Sequence, residues 1–513
     1  MNSLASTTCA PLLVQGIAPE DRIPIRQKIA FSLGVNMDIV ATALMLKTLW
    51  MPVFNIGLGM SPIVLGGILM VFRAWDAFTD PVMGSISDNA RTRWGRRRPF
   101  MFVGAFTTAL IYPLFWYLPP AWSDPAKAVA LTVVGILFFT SYTAWSMPYY
   151  GLQLELTPDY DERTRLAAWG TLFAKIGYLA CGWILLFIIY LGTLASGKAG
   201  TVDGQDFGSG IAAAIQPFLA WITHAKAGEN LVVVGMRATC WLISIAILLF
   251  GLCPAIFVKE RYYRVEASRQ PKTPFLANLR QSFQCRPLRH LICLSFFLIV
   301  GSASIVTLGQ YSNFYYVCGG DLAKGAMISG VKSSVLIVAG LIAIPLLTWC
   351  SERFDKRAIV IAMLVFGITG HLANFFLMTP AHPYWQVASG VVEAVAITAI
   401  WMFMPSMKAD IADWDEHQTG NRREGSINAF YSWFSKAAHT LALGIGGVAI
   451  FVSGFDAKLP VQTEASVNRL FYVYLVLPVL FWGVALLFAW FYPLSRASAA
   501  DIRSELEARR GKI

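Results

Sequence analysis

Twelve long apolar runs divide the sequence, and this pattern restricts what the chain can fold into. The first six lie near residues 28–54, 62–87, 99–118, 127–151, 166–195 and 231–258. The other six lie near residues 287–317, 325–350, 358–378, 384–408, 424–453 and 469–493. Because about 20 apolar residues suffice for a helix to cross a bilayer, each run predicts one transmembrane helix. We therefore expect an all-α membrane protein with twelve transmembrane helices.

The amino-acid composition fits lipid better than water as the surrounding solvent. Hydrophobic residues make up 56% of the chain and charged residues 14%, whereas soluble domains carry about 25% charged residues. No HExxH, GxSxG or P-loop motif occurs, and the six histidines and eight cysteines are dispersed, with no CxxC spacing. We therefore expect no enzyme, metal centre, cofactor or disulfide framework.

Basic residues are concentrated in alternate loops between the apolar runs. Arginines cluster at residues 91–98, basic residues recur through 259–286, and three more follow run 8. The positive-inside rule places these loops and both termini in the cytosol, and it also explains the net charge of +11. No nucleic-acid-reading pattern accompanies that charge. We expect a multi-pass protein of a bacterial inner membrane that contacts lipid, binds no nucleic acid and functions as a monomer.

The sequence divides into two sets of six runs. The loops after runs 2 and 8, GSISDNARTRWGRRRP and LTWCSERFDKRA, place an acid and several basic residues at the same point of each set. This indicates an internal repeat, although cytosolic retention of basic loops would produce the same pattern. Duplicated six-helix halves are typical of the major facilitator fold. The expected segments are a cytosolic N-terminal segment 1–27, a bundle 28–258, a cytosolic linker 259–286, a bundle 287–493 and a cytosolic tail 494–513. The first bundle contains an exported loop, 196–230, whose segment IAAAIQPFLAWITHA predicts a short helix on the membrane surface.

Run 2 contains two carboxylates that are costly to place in a bilayer. Asp76 and Asp80 are four residues apart and share one helical face, with Thr79 beside them. Each costs about 2.5–3.5 kcal/mol at a helix centre, so such residues are usually functional. Together with Thr143 of run 4 they offer oxygen ligands that suit Na⁺, and the same carboxylates could carry H⁺. The ion stays open, as does the alternative that Arg73 and Asp76 form a salt bridge that merely locks the bundle.

Other polar side chains inside the apolar runs predict a binding cavity. Charged or amide side chains occur in runs 1, 5, 7, 10 and 11, where each is costly unless it serves a function. Aromatic side chains that can stack on sugar rings lie near them, as in many ligand sites. These candidates for contact with a polar solute are Asn36, Asp38, Tyr150, Lys175, Asn313, Glu393 and Lys436.

Three stretches resemble a known family of transporters. RAWDAFTDPVMGSISDNARTRWGRRRPF and MPYYGLQLELTPDYDERTRL lie in the first half, and ADIADWDEHQTGNRREGSINAFYSWFSKAAHTLALGIGG lies in the second. All three are similar to the glycoside–pentoside–hexuronide:cation symporters, of which the melibiose permeases are the reference members. The matches occur in order over nearly the whole chain. The resemblance implies a major facilitator fold and cation-coupled alternating access.

The resemblance also implies roles for individual residues. The cation-binding acid pair of the family falls on Asp76 and Asp80, and the asparagine between them corresponds to Thr79. The threonine of the fourth span that assists this site corresponds to Thr143. The lysine that links the sugar and cation sites falls on Lys436.

The sugar site of the melibiose permeases carries over poorly. Ser146 stands where the family has a carboxylate, and Tyr150 where it has a stacking tryptophan. Thr171 stands in place of an arginine, although Lys175 lies one turn further on, and the aspartate of the first span aligns near Asn36. A simple galactoside therefore fits poorly, and the extra intramembrane charges favour an anionic or modified glycoside.

Charged residues of the predicted cytosolic loops are candidates for a gate. Such a gate would hold the two halves together while the cavity faces outward. Cytosolic retention of the loops explains the basic residues equally well. The gating candidates are Asp88, Arg93, Arg97, Glu162, Arg163, Asp413 and Arg422.

The leading interpretation is a secondary active symporter that imports a sugar or glycoside-like solute together with Na⁺ or H⁺. A cation-coupled transporter of an amphiphile such as a lysophospholipid is the alternative, because apolar helix faces suit such a substrate. A non-transporting membrane receptor is the alternative of a different class.

Overall fold

The computed structural model describes residues 22–119, 121–156, 160–197, 201–202, 205–206, 209–226, 228–260, 284–420, 424–459 and 461–510. Within these residues, twelve helices are long and apolar enough to cross a membrane, as the sequence predicts. Spans 1 to 6 are Ile25–Gly57, Pro62–Ser87, Arg98–Phe115, Asp124–Gln153, Arg165–Ala195 and Leu231–Phe257. Spans 7 to 12 are Arg286–Val317, Leu322–Ser351, Lys356–Leu377, Pro383–Thr419, Phe430–Val452 and Glu464–Trp490. Several of these helices extend beyond the spans, and a final helix covers Arg496–Arg510.

Spans 1 and 7 change from α-helix to wider π-helical turns. In span 1 the α-helix Ile25–Asp38 is followed by π-helical segments at Ile39–Leu49 and Met51–Gly57, and in span 7 Arg286–Tyr311 is followed by Ser312–Val317. The two spans occupy the same place in the two halves of the chain. Such turns are frequent at functional sites, and both π-helical regions contribute residues to the central cavity described below.

Span 10 is longer than the hydropathy of the sequence predicts. Its helix runs to Thr419, beyond the end of the apolar run at 408. The polar stretch that follows residue 408 contains no helix breaker until Gly420, which has a φ of 70°. Glycine adopts this left-handed conformation readily and ends helices there. Hydropathy marks where a helix leaves lipid, whereas the backbone decides where the helix ends.

The loop between spans 5 and 6 contains the helix that the sequence predicts, at Ser209–Thr223, preceded by an antiparallel pair of short strands, Thr201–Val202 and Gln205–Asp206. The Tyr117 hydroxyl donates to the Ile222 carbonyl at 3.0 Å. Arg237 of span 6 donates to the Thr223 carbonyl at 3.2 Å and pairs with Glu229 at 3.0 Å. These bonds fix the end of the loop helix against spans 3 and 6.

Buried apolar side chains form two large cores. One core is built mainly from spans 1 to 6 and the other from spans 7 to 12. Large apolar side chains such as Leu110 and Ile342 are 66% and 68% exposed, which suits a surface that faces lipid. The two cores agree with the predicted bundles, whose boundaries stay a prediction. Most of the linker, residues 261–283, lies outside the described residues, as do residues 1–21 and 511–513.

The two halves meet along spans 2 and 11 and along spans 5 and 8. Gly447 of span 11 lies against the carbonyl of Pro62, and Gly182 of span 5 lies against Ser333. Glycines allow two helices to approach this closely. The Tyr311 hydroxyl of span 7 donates to Asn55 Oδ1 of span 1 at 2.6 Å, and Trp183 of span 5 donates to Ser334 of span 8 at 3.0 Å. Asn55 and Pro62 lie at the ends of spans 1 and 2 opposite the basic loop that follows span 2, and Gly182 and Trp183 lie near the middle of span 5.

Replacement of Gly235 by alanine should destabilise the first half. The added Cβ would overlap the Ile188 carbonyl oxygen where spans 5 and 6 cross, and a backbone atom cannot move aside cheaply. Overpacking of this kind costs about 1–3 kcal/mol, so we expect a lower midpoint of thermal unfolding for the purified protein. Gly483→Ala is the control, because a Cβ there meets no atom within 4 Å. Equal midpoints for the two variants would contradict the close crossing.

Candidate functional site

The acid pair of span 2 lies against span 4 as the sequence predicts. Asp76 and Asp80 are only 8% and 9% exposed. The buried Thr143 hydroxyl lies 3.1 Å from Asp76 Oδ1 and 3.4 Å from Asp80 Oδ1. The Thr79 hydroxyl lies 3.4 Å from that of Thr143 and donates to the Trp75 carbonyl at 3.1 Å. The four candidate cation ligands are therefore neighbours.

Each carboxylate of the pair has one basic partner. Arg73 donates to Asp76 Oδ2 at 3.2 Å from the previous turn of the same helix. Lys436 of span 11 forms an ion pair with Asp80, so this contact joins the two halves. The two acids and two bases balance in charge. The Lys436 side chain is 51% exposed, so the pair is open to solvent on that side.

Asp38 of span 1 gathers two tyrosines of span 4. The Tyr142 hydroxyl donates to Asp38 Oδ1, and the Tyr150 hydroxyl donates to Asp38 Oδ2 at 2.8 Å. The Thr42 hydroxyl lies 3.2 Å from Asp38 Oδ1. Tyr150 keeps 41% of its surface exposed. Asp38 therefore holds aromatic rings in place, and Tyr150 remains open to a ligand.

A central cavity of about 470 Å³ lies between the two halves. Spans 1 and 5 line it on one side, with Lys47 and Tyr178. Spans 7, 8 and 10 line it on the other side, with Asn313, Lys332 and Glu393. Lys47 and Lys332 form neither a hydrogen bond nor an ion pair with another described residue. Two lysine side chains without a direct partner among the described residues therefore line the same space.

Glu393 belongs to a buried polar network in the second half. Glu393 Oε1 lies 2.7 Å from His371 Nδ1 and accepts a hydrogen bond from Asn374 at 3.2 Å. His371 Nε2 lies 3.0 Å from the Tyr474 carbonyl oxygen, and Asn374 is 3.2 Å from the Tyr474 hydroxyl. All four of these residues are at most 4% exposed. Spans 9, 10 and 12 are thus joined by polar contacts in a membrane interior.

Asn313 connects the same wall of the cavity to spans 8 and 10. Its amide nitrogen donates to the Gly325 carbonyl at 2.7 Å and lies 3.2 Å from the Ser329 hydroxyl. Its oxygen accepts a hydrogen bond from Gln386 at 2.9 Å. Asn313 itself is 4% exposed, so it mainly fixes this wall.

The remaining substrate candidates form no hydrogen bond with the acid pair among the described residues. Asn36 lines a second, apolar cavity of about 260 Å³ between spans 1, 5 and 6. The Asn36 side-chain oxygen and the Ser146 hydroxyl are buried without a hydrogen-bond partner among the described residues. Thr171 donates to the Ala167 carbonyl of its own helix at 3.0 Å. Lys175 reaches from span 5 to Gly340 of span 8.

The loop after span 2 is held within the first half. The Glu260 carboxylate accepts backbone N–H bonds from Arg96 and Arg97, each at 2.8 Å, and from Arg98 at 3.1 Å. A carboxylate at this position satisfies the free N–H groups at the start of span 3. Arg97 is buried against Gly151 of span 4, whereas Arg93 is exposed.

Glu162 also makes contacts within the first half. It is fully buried, accepts the Ile23 N–H at 2.8 Å and pairs with Lys28 at 2.7 Å. Asp413 is half-buried on the extension of span 10. The side chains of Asp88 and Arg163, and the whole of Arg422, lie outside the described residues. A gate between the halves stays a prediction.

Sequence reasoning overlooked the partners of several predicted residues. His371, Asn374 and Gln386 each contact one of them. A histidine inside an apolar run was the one signal available, because His371 carries the same kind of cost as the carboxylates. Nothing in the sequence indicates that it faces Glu393.

The family of MFS/sugar transport proteins matches residues 32–496. The chain belongs to this family. Members of the major facilitator superfamily are membrane transporters, so this MFS/sugar transport protein is an integral, multi-pass transporter and not an enzyme.

Similar proteins are named as carriers of different solutes. An uncharacterized symporter of Synechocystis is 27% identical over 88% of this chain and 91% of its own length. The glucuronide carrier protein homolog of Escherichia coli is 24% identical over 94% and 96%. The sodium-dependent lysophosphatidylcholine symporter 1 of Mus musculus is 24% identical over 88% and 82%.

Solved structures share the fold of this family member. The nucleoside transporter NupG has a TM-score of 0.58 at 12% identity, covering 91% of this chain and 98% of that one. At this identity the likeness concerns the fold alone. The predicted major facilitator fold is confirmed.

Replacement of either partner of the Lys436–Asp80 ion pair should lower the stability of the protein. Replacement of both partners should lower it by less than the two single effects added together. Lys436→Gln leaves a buried carboxylate without its cation, and Asp80→Asn leaves the ammonium without its anion. For contacting residues, a double-mutant cycle measures a coupling of about 0.5–3 kcal/mol. We expect the thermal midpoint of Lys436→Gln/Asp80→Asn to fall by less than the sum of the decreases measured for the two single variants.

The ion pair of Lys458 and Asp124 is the matched control, because it spans 3.3 Å between side chains that are 66% and 45% exposed. Exposed pairs contribute about 0–1 kcal/mol. Strictly additive effects at Lys436 and Asp80 would contradict a direct pair.

Proposed function

We propose that this transporter is a secondary active symporter that imports an anionic, sugar-like solute together with Na⁺ or H⁺ by alternating access. The single observation that carries the proposal is the central cavity between the halves, which Lys47 lines from the first half and Lys332 from the second. The acid pair of span 2 lies beside it and is the proposed cation site.

Lys436 supports coupling between the cation and the solute. A cation that binds between Asp76 and Asp80 competes with Lys436 for the Asp80 carboxylate, since both neutralise the same charge. A released ammonium then has the solute as its nearest alternative partner. Na⁺ would use the carboxylate and threonine oxygens, and H⁺ would neutralise a carboxylate directly.

The contacts between the halves support an inward-open state. The hydrogen bond from Tyr311 to Asn55 lies at the end of span 1 away from the basic loop that follows span 2, and the one from Trp183 to Ser334 lies near the middle of span 5. The positive-inside rule assigns the basic loops to the cytosol. We propose that the protein lies in a bacterial inner membrane with both termini inside and acts as a monomer. In the outward-facing state, the charged loop residues named above would hold the halves together on the cytosolic side.

The charges of the cavity favour a solute with an acidic group. Lys47 and Lys332 reach it from opposite halves, and Lys175 approaches span 8 from span 5. A carboxylate, sulfonate or phosphate would compensate these ammonium groups. The similarity to a protein named as a glucuronide carrier agrees with this class of substrate. The volume of about 470 Å³ lies within the usual range for small-molecule sites.

A lysophospholipid-like amphiphile is the second candidate. The apolar cavity of about 260 Å³ shares Cys181 with the central cavity, so a headgroup and an acyl chain could occupy adjacent spaces. The similarity to a protein named as a lysophosphatidylcholine symporter agrees with this possibility. The apolar cavity is lined by aliphatic and aromatic side chains together with Asn36 and Thr239.

Uptake into proteoliposomes should separate these substrates. Nitrophenyl glucuronide carries a carboxylate where nitrophenyl glucoside carries a hydroxymethyl group, and the two are otherwise identical. Lysophosphatidylcholine tests whether an amphiphile is transported. We expect the glucuronide to enter faster than the glucoside, and Lys332→Gln to reduce this preference by about 10- to 100-fold, because a hydrogen bond to a charged group contributes about 1.5–3 kcal/mol.

Lys324→Gln, at the exposed start of span 8, is the control and should keep the preference. Uptake of the glucoside alone would overturn the anionic class, and uptake of lysophosphatidylcholine alone would favour the second candidate. Binding without uptake would favour a receptor.

Removal of either acid of span 2 should uncouple transport. In Asp76→Asn and in Asp80→Asn, imposed Na⁺ or H⁺ gradients should no longer concentrate the solute, while exchange of solute across the membrane persists. Separate Na⁺ and pH gradients identify the ion. Asp501→Asn on the exposed C-terminal helix makes the same chemical change outside the site and should accumulate solute normally. Wild-type accumulation by either span 2 variant would mean that its carboxylate is structural.

A further inference from the structure

The His371–Glu393 contact fixes how many protons the two side chains hold between them. His371 Nε2 lies 3.0 Å from the Tyr474 carbonyl oxygen, and a carbonyl only accepts hydrogen bonds. Nε2 therefore carries a hydrogen. His371 Nδ1 lies 2.7 Å from Glu393 Oε1, and this short contact requires one further hydrogen between the two atoms.

That hydrogen can reside on either partner. The pair is an imidazolium beside a carboxylate, or a neutral imidazole beside a carboxylic acid, and the two forms have the same total charge. Loss of the hydrogen leaves the Nδ1 lone pair facing a carboxylate oxygen, which is unfavourable. The contact is therefore a binding site for one proton.

The pair is buried but lies at the wall of the central cavity. His371 is 0% and Glu393 is 4% exposed, and Glu393 lines the cavity. Span 8 presents Lys332, which packs against Gly390 one turn before Glu393. The other titratable groups that face this region are Tyr474 of span 12 and, across the cavity, Lys47 and Tyr178; span 7 contributes the uncharged Gln310 and Asn313.

We propose that His371 and Glu393 form a proton-binding site in the second half, separate from the acid pair of span 2, and that this site exchanges one proton with the central cavity. The proton leaves Nδ1 or Oε1 for cavity water. Glu393 then remains as a carboxylate, with the Lys332 ammonium as its nearest cation. No other group changes its charge in this step.

The site differs from a salt bridge that only ties spans 9 and 10 together. Asn374 already joins these spans to span 12 through Glu393 and Tyr474, and a structural bridge has no need to line a cavity. Since Lys332 would serve both the carboxylate and an anionic solute, arrival of the solute would favour the protonated pair. This last point rests on the proposed function, whereas proton binding does not.

Infrared difference spectroscopy of the purified protein in lipid tests the site without any solute. Spectra are compared between about pH 5 and about pH 9, a range that brackets histidine titration. We expect the difference spectrum to contain a carboxyl and imidazole component equivalent to about one proton that is absent from the spectra of both Glu393→Gln and His371→Gln. In Glu393→Gln the introduced side-chain amide can still donate to His371 Nδ1, so this variant should fold, and its thermal midpoint checks that it does.

Asp76→Asn and Asp80→Asn are the matched controls, because they alter the other acidic site. Both should keep the signal, so the result is independent of whether these variants lose coupled uptake. The proposal would be overturned if Glu393→Gln and His371→Gln kept the signal. It would also be overturned if the wild-type spectrum showed no carboxyl or imidazole change over the whole pH range. Loss of the signal in Asp76→Asn would assign the proton to span 2 instead.

Discussion

The structure depends on neutralising carboxylates inside a membrane. Asp76 and Asp80 are almost fully buried, and an unpaired charge in such surroundings is too costly to keep. Arg73 comes from the same helix, but Lys436 comes from span 11 in the other half. The ion pair with Asp80 is therefore also a bond between the two halves. Whatever neutralises Asp80 in place of Lys436 weakens that bond, which links ion binding to a change in the way the halves meet.

Features that depend on neighbouring positions could be predicted from the sequence. Helix geometry alone places Asp76 and Asp80 on one face, because they are four residues apart. The apolar runs give the spans, since the thickness of a bilayer sets their length. Thr143 and Lys436 were candidates for their polarity inside apolar runs, the resemblance implied their roles, and both lie at the acid pair in the structure. Span 10 was predicted too short because a polar extension can remain helical.

Contacts between spans could not be predicted, because membrane helices are apolar on most faces and periodicity does not show which face meets a neighbour. His371 and Glu393 lie 22 residues apart on consecutive spans and meet only because spans 9 and 10 pack together. Asp38 meets Tyr142 and Tyr150 for the same reason. The carboxylates themselves could be identified because a charged side chain inside an apolar span costs free energy. Nothing in the sequence distinguishes their polar partners from other polar residues.

The balance of charge around the cavity connects the two proposed sites. In the first half, Asp76 and Asp80 are matched by Arg73 and Lys436. In the second half, the proton shared with His371 satisfies Glu393, which leaves Lys332 free for another anion. If that proton is lost, Glu393 competes for the same ammonium group. If both proposed sites are occupied as argued, the affinity of the cavity for an acidic solute should depend on a proton held by the wall of the cavity as well as on the cation proposed for span 2.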